Sequence, residues 1–111
     1  MSEKFWNERA EWSIATFGPV DERGPMGPVL HLKEEVDEAL EHLNNSPYDK
    51  SKFVEELVDC LFLIEDAAMR SGLSYNDFYH AAFAKLQKNK KRVWNKRISN
   101  EPVKHVKGIE D

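Results

Sequence analysis

Cysteine is nearly absent from this chain: Cys60 is the only one, so no disulfide can form within it. It lies among apolar neighbours, a setting that suits a reducing compartment. No stretch reaches the roughly 18 consecutive apolar residues that a membrane helix needs. The opening Met1-Ser2-Glu3-Lys4-Phe5-Trp6 lacks the basic flank and apolar run of a secretory signal. The expectation is a cytoplasmic protein with no membrane partner. Positive charge is in deficit, with a formal net charge of −4, which argues against nonspecific nucleic-acid binding because phosphate backbones reward a basic surface. There is no internal repeat, no low-complexity tract and no sustained strand-like alternation. Glu-x-x-His occurs nowhere, which speaks against a carboxylate-bridged di-iron bundle, since such bundles use that pair twice.

What remains is helical periodicity. Residues 3 to about 17 carry Phe5, Trp6, Ala10, Ile14 and Phe17 at spacings of mostly three or four, without glycine or proline, and predict a first amphipathic helix. The eleven residues from Gly18 to Pro28 hold three glycines and three prolines, a density that predicts a loop. From Val29 to about Asn44, the residues Val29, Leu32, Val36, Ala39, Leu40 and Leu43 form one stripe, with Glu34, Asp37 and Glu41 turned away. Asn44-Asn45-Ser46-Pro47 breaks that second helix. Ser51 is the expected N-cap of a third, running to about Ser71 ahead of Gly72. Its apolar residues wrap most of the circumference, so it belongs in the centre of the molecule or at a subunit interface. Ser74 with Asp77 opens a fourth helix to about Trp94. The expectation is an all-α, four-helix bundle forming one domain over residues 1–98, with a C-terminal tail at 99–111 and association into oligomers.

Charge is segregated along the chain. Acids crowd between Glu34 and Asp66, whereas the stretch from Lys85 to Arg97 has seven bases and no acid. Glu35 and Glu38 stand three apart on the second helix, and Glu56 and Asp59 three apart on the third, so each pair projects two carboxylates from one helical face. On antiparallel neighbours these groups can converge. They would then repel unless a cation lay between them, and hard oxygen donors suit Mg²⁺ or Mn²⁺ better than zinc. Glu56 interrupts a stripe that Phe53, Cys60 and Leu63 would otherwise make apolar, and a carboxylate there needs a metal, a partner cation or a proton.

His31-Leu32-Lys33-Glu34-Glu35-Val36-Asp37-Glu38 followed by Glu55-Glu56-Leu57-Val58-Asp59 resembles the MazG-like all-α nucleoside triphosphate pyrophosphohydrolases, whose signature is E-E-x-x-E and then E-x-x-D. Phe17-Gly18-Pro19 before these words, and Lys85-x-x-x-Asn89-x-x-Arg92-x-Trp94 after them, are similar to the phage-type dATP/dGTP pyrophosphohydrolase branch. The resemblance covers roughly residues 12 to 97.

The resemblance implies hydrolysis of a (deoxy)nucleoside triphosphate to monophosphate and pyrophosphate, in the host cytoplasm if the chain is phage-encoded. It implies magnesium held by Glu35, Glu38, Glu56 and Asp59, with manganese as a substitute. Glu34, Glu35 and Glu38 would be the catalytic carboxylates, Glu34 or Glu38 assisting proton transfer. Lys85, Asn89 and Arg92 would meet the phosphates, and His31 would stand near the substrate. Trp12, Phe17 and Trp94 either stack on a purine or pack in the core. His42, His80 and His105 show no metal-ligand spacing. The family's habit is a homodimer or homotetramer. The rival reading is a noncatalytic helical nucleotide-binding or interaction module, which leaves the position of Glu56 without a reason.

Overall fold

The computed structural model describes residues 2–19 and 23–92. Among them are four α-helices and no strand: α1 (Glu3–Phe17), α2 (Met26–Asn44), α3 (Lys50–Arg70) and α4 (Tyr75–Lys91). The all-α expectation holds. The chain forms two compact units, Met1–Tyr75 with α1 to α3, and Asn76–Asp111 with nearly all of α4.

Helix ends follow from local chemistry. Ser2 caps α1 by accepting the Phe5 N–H at 3.1 Å. Gly18 ends it, donating its N–H to the Ile14 carbonyl at 2.9 Å with φ at 101°, a conformation that costs a glycine little. The cap of α3 is Asp49 rather than Ser51. The Asp49 carboxylate accepts from the Ser51 and Lys52 N–H groups at 3.0 and 3.3 Å, so Ser51 is a first-turn donor. Tyr75 opens α4 directly after Ser74, and the helix ends among Lys88, Lys90 and Lys91, charges that suit its negative pole. Trp94 and the expected tail lie outside the described residues.

A second correction concerns the glycine- and proline-rich loop. α2 begins at Met26, three residues before Val29, and takes Gly27 and Pro28 into its first turn. Proline is harmless there, because the first N–H groups of a helix have no carbonyl to bond within it.

α2 and α3 form an antiparallel pair and make the most extensive contact in the unit. Gly27 at the start of α2 meets Arg70 at the end of α3, and His42 near the end of α2 meets Glu56 in the first half of α3. α1 packs on α3. Its buried residues are Trp6, Arg9 and Ser13, so the face it buries is mostly polar, while Ile14 and Phe17 of the expected apolar stripe are exposed. Against it α3 buries Glu65, Asp66, Ala68 and Met69. Most of the α2 stripe is likewise exposed: among its members only Ala39 is buried, and Val36, Leu40 and Leu43 reach solvent. On α3, Val54, Leu57, Val58 and Ile64 are exposed too.

Candidate functional site

Because α2 and α3 run antiparallel, Glu35 and Glu38 face Glu56. One carboxylate oxygen from each of the three lies within 4.8 Å of the others. Two histidines flank the trio. His31 Nε2 lies 3.1 Å from Glu35 Oε1, one turn away on α2, and His42 Nε2 lies 3.5 Å from Glu56 Oε1 across the helix pair. Glu35 and Glu56 are half-buried, and the second oxygen of each is sealed from solvent with no hydrogen-bond partner.

Three acids this close cannot all be ionised without a cation. The hydrogen bond to Glu56 raises the Glu35 pKa, with burial and then Glu38 adding to the rise, to about 8. The same bond is the largest cause that lowers Glu56, with His42 assisting. A proton held at Glu35 relieves the repulsion among the neighbouring carboxylates. Burial, then the nearby Glu35, Glu56 and Asp59, also raises the Cys60 thiol, which keeps it protonated and unreactive. An all-oxygen set with orphaned carboxylate atoms matches what Mg²⁺ or Mn²⁺ asks of a protein.

A cavity of about 300 Å³ opens beside the trio. Trp12, Phe17 and Phe62 give it aromatic walls; Glu35 and Asp59 stand at its acidic side; Arg9, Ser13 and Asp66 line it as well, with His31 and Leu63. Trp12 meets Phe17 edge-on at 5.5 Å and Phe62 at 6.5 Å. Trp12 and Phe17 remain more than half exposed, so their faces are open to a ligand. Such a chamber, apolar on its walls with a few fixed polar groups, suits a flat heteroaromatic ring.

The expected site residues divide accordingly. Glu35, Glu38 and Glu56 converge. Asp59 is exposed and outside the trio, but shares the cavity with Glu35, Trp12, Phe17 and His31. Glu34 is exposed on α2. Lys85, Asn89 and Arg92 belong to the second unit, where Arg92 Nη1 donates to Asn89 Oδ1 at 3.5 Å. The charge of Arg92, then burial and Lys88, lowers the Lys85 pKa.

Sequence reasoning missed the buried polar layer. Arg9 Nε donates to Glu65 Oε1 at 3.0 Å and its Nη1 to Asp66 Oδ1 at 3.4 Å, while Ser13 Oγ donates to the same Asp66 oxygen at 2.8 Å. Arg9 also lies over the Trp6 ring at 5.1 Å. A signal was available: Glu65-Asp66 interrupts an apolar run just as Glu56 does, and Arg9 and Ser13 stand four apart on α1. His42 was missed because its partner is on another helix.

Residues 5–111 match the dATP/dGTP pyrophosphohydrolase family. The chain is 39% identical over 105 residues to the Eaa protein of Salmonella phage P22, a match that covers 95% of this chain and 30% of that relative. The chain thus spans under a third of the length of the curated relative it matches. No solved structure is significantly similar to it.

Proposed function

The chain belongs to the dATP/dGTP pyrophosphohydrolase family, and from that membership we propose that it holds a purine deoxynucleoside triphosphate through Mg²⁺ and hydrolyses it to the monophosphate and pyrophosphate. The observation that carries this reading is the convergence of Glu35, Glu38 and Glu56 beside an aromatic-walled cavity. A triphosphate cannot approach three carboxylates directly, whereas a divalent cation reconciles the two. Glu35, Glu38 and Glu56 would hold the cation and Asp59 would complete the set, with Mn²⁺ as a substitute. When bound there it neutralises phosphate charge and acidifies water.

The protein's own groups do the rest. His31 and His42 lie against the Glu35 and Glu56 carboxylates, at 3.1 and 3.5 Å, where they would position groups that ligate a cation. Trp12 and Phe17 offer ring faces to the base. As water attacks the α-phosphorus, a new P–O bond forms and the α–β anhydride bond breaks. The proton released goes to Glu38 or its neighbour Glu34, and pyrophosphate departs. Lys85 and Asn89 stand one turn apart on α4 and Arg92 follows just past its end; their side chains are donors of the kind that phosphate accepts.

The exposed apolar residues of α2 and α3 support assembly into a homodimer or homotetramer. The deciding experiment is a panel of deoxy- and ribonucleoside triphosphates with Mg²⁺, the products separated by chromatography. Monophosphate plus pyrophosphate, fastest with dATP and dGTP, is the expected result. Diphosphate plus orthophosphate, or no turnover with any triphosphate, would overturn the reading.

A further inference from the structure

Ser13 and Asp66 line the aromatic-walled cavity, and neither belongs to the acidic trio. The lining is graded in exposure: Trp12 and Phe17 are 53% and 55% exposed, whereas Ser13 is 2% and Asp66 6% exposed. The aromatic rings therefore stand at the open side and the polar pair at the floor. A flat ring stacked on those aromatics meets the floor with its leading edge.

What Ser13 can offer that edge is decided by its neighbours. A hydroxyl has one proton to donate and two lone pairs that accept. The Ser13 proton is committed, because Oγ donates to Asp66 Oδ1 at 2.8 Å. Asp66 accepts on both oxygens: Arg9 Nη1 donates to Oδ1 at 3.4 Å, and Arg70 Nη2 lies 3.0 Å from Oδ2. Arg9 is fixed in turn by Glu65, with both side chains sealed from water. The direction of the Ser13 bond is thus set by two guanidinium groups behind it. Toward the cavity the Ser13 oxygen can only accept. A ligand atom arriving there must bring an N–H or O–H, since a carbonyl oxygen or a bare ring nitrogen would set lone pairs against lone pairs where water cannot relieve them.

Purine edges differ in this respect. Adenine carries an exocyclic amine at C6 and guanine one at C2, each a donor, whereas the guanine O6 and the ring N7 of both bases are acceptors. Loss of the amine by deamination removes the donor. We propose that Ser13, its proton held by Asp66, is a specificity-determining residue that accepts a hydrogen bond from the exocyclic amine of the purine and so favours amino-purine substrates over their amine-free counterparts. This inference rests on the pyrophosphohydrolase reading, which puts a nucleobase in the cavity, and adds which feature of the base is read.

The test uses four nonhydrolysable α,β-methylene deoxynucleoside triphosphates, titrated calorimetrically with Mg²⁺ into the full chain. Adenine is compared with unsubstituted purine, and guanine with hypoxanthine. Each pair shares its sugar and phosphates and differs in one amine. In the wild type the amino base of at least one pair should bind about 3- to 10-fold more tightly, the worth of one hydrogen bond. The pair that shows the preference locates the amine at C6 or at C2. Ser13→Ala should bring that ratio close to one by weakening the amino base, while the amine-free base keeps nearly its wild-type affinity. Ser13→Cys, close in size but with a poor acceptor in place of the oxygen, should do the same and serves where the alanine variant does not fold. A ratio close to one for both pairs in the wild type overturns the proposal, and so does a preference that survives both variants. Equal weakening of all four analogues overturns it too, since that is what a structural role or a contact to the sugar would give. Binding of all four without preference removes the role of Ser13 and leaves the pyrophosphohydrolase reading standing, whereas failure of every analogue to bind overturns both.

Discussion

Arg9 Nε lies 3.0 Å from Glu65 Oε1, with the two side chains 2% and 0% exposed, so α1 docks on α3 through a charge pair that water does not reach. Arg9 is further tied down by Asp66 and by the Trp6 ring. Such a pair fixes one register more firmly than an apolar contact, because sliding α1 along α3 strands a charge. Removing one partner is therefore costly. Arg9→Met should destabilise the protein by about 3–5 kcal/mol, the usual loss when a buried ion is left alone. The double variant Arg9→Met/Glu65→Leu should regain part of that loss. Urea unfolding of the wild type, both single variants and the double variant measures the coupling.

Glu38→Gln and Glu56→Gln should each abolish turnover while leaving the far-ultraviolet circular dichroism of the wild type, since both groups lie at the edge of the helix pair rather than in its core. His42→Ala, which removes only the partner of Glu56, should weaken Mg²⁺ by about 10- to 100-fold. Magnesium-dependent initial rates check all three. Near-normal turnover of either glutamine variant would take that residue out of the metal site.

The shared proton of the acidic cluster gives a pH signature. An ordinary glutamate titrates at 4.5, whereas Glu35 titrates at about 8, raised first by the Glu56 hydrogen bond. Between those values the folded protein keeps a proton that the unfolded chain has released, so stability falls as pH rises through the window and levels above it. Glu56 has the opposite sign. Its lowered pKa contributes stability that disappears only in more acidic solution, below the ordinary glutamate value. Chemical unfolding in chelator should show a decline between about pH 4.5 and about pH 8. Glu35→Gln should remove the decline, and so should saturating Mg²⁺, because a cation replaces the proton. A flat profile for the chelated wild type would rule out the shared proton.

Periodicity made the four helices legible, and the spacing of Glu35, Glu38 and Glu56 sufficed to bring those three together. The start of α2 was hidden because Gly27 and Pro28 read as loop, although a first turn has no N–H bond for proline to break. The Arg9 layer was hidden for another reason: a polar residue on a helix reads as surface until its partner 56 positions away is known. The apolar stripe of α2 was visible, yet nothing in its periodicity distinguishes a face that meets the same chain from one left open. Val36 and Leu40 belong to the second kind.

Trp12 is 53% exposed and lines the cavity without entering the acidic trio. If it stacks on the base, Trp12→Ala should raise KM on the order of 10-fold, within the usual worth of an aromatic stack. The value of kcat should change little, because no carboxylate loses a partner. Steady-state kinetics with dATP and dGTP separate the two constants; a fall in kcat at constant KM would assign Trp12 to some other task.

The antiparallel register that sets Gly27 against Arg70 puts Leu40 level with Leu57 and Leu43 level with Val54, and all four are exposed, Leu40 by 54% and Leu57 by 48%. Apolar residues at matching levels on two packed helices are costly to leave in water, and a second copy of the chain would cover them. Leu40→Glu puts a charge where such an interface would be dry, a change that costs several kcal/mol in the assembled state and almost nothing in the monomer. Sedimentation velocity should therefore find the wild type as a dimer or tetramer and Leu40→Glu shifted toward monomer, with its helical content retained. The two species would then differ in one more respect. If the sites require neighbouring copies, turnover of Leu40→Glu should rise with protein concentration more steeply than first order, whereas a self-sufficient chain would give strict proportionality.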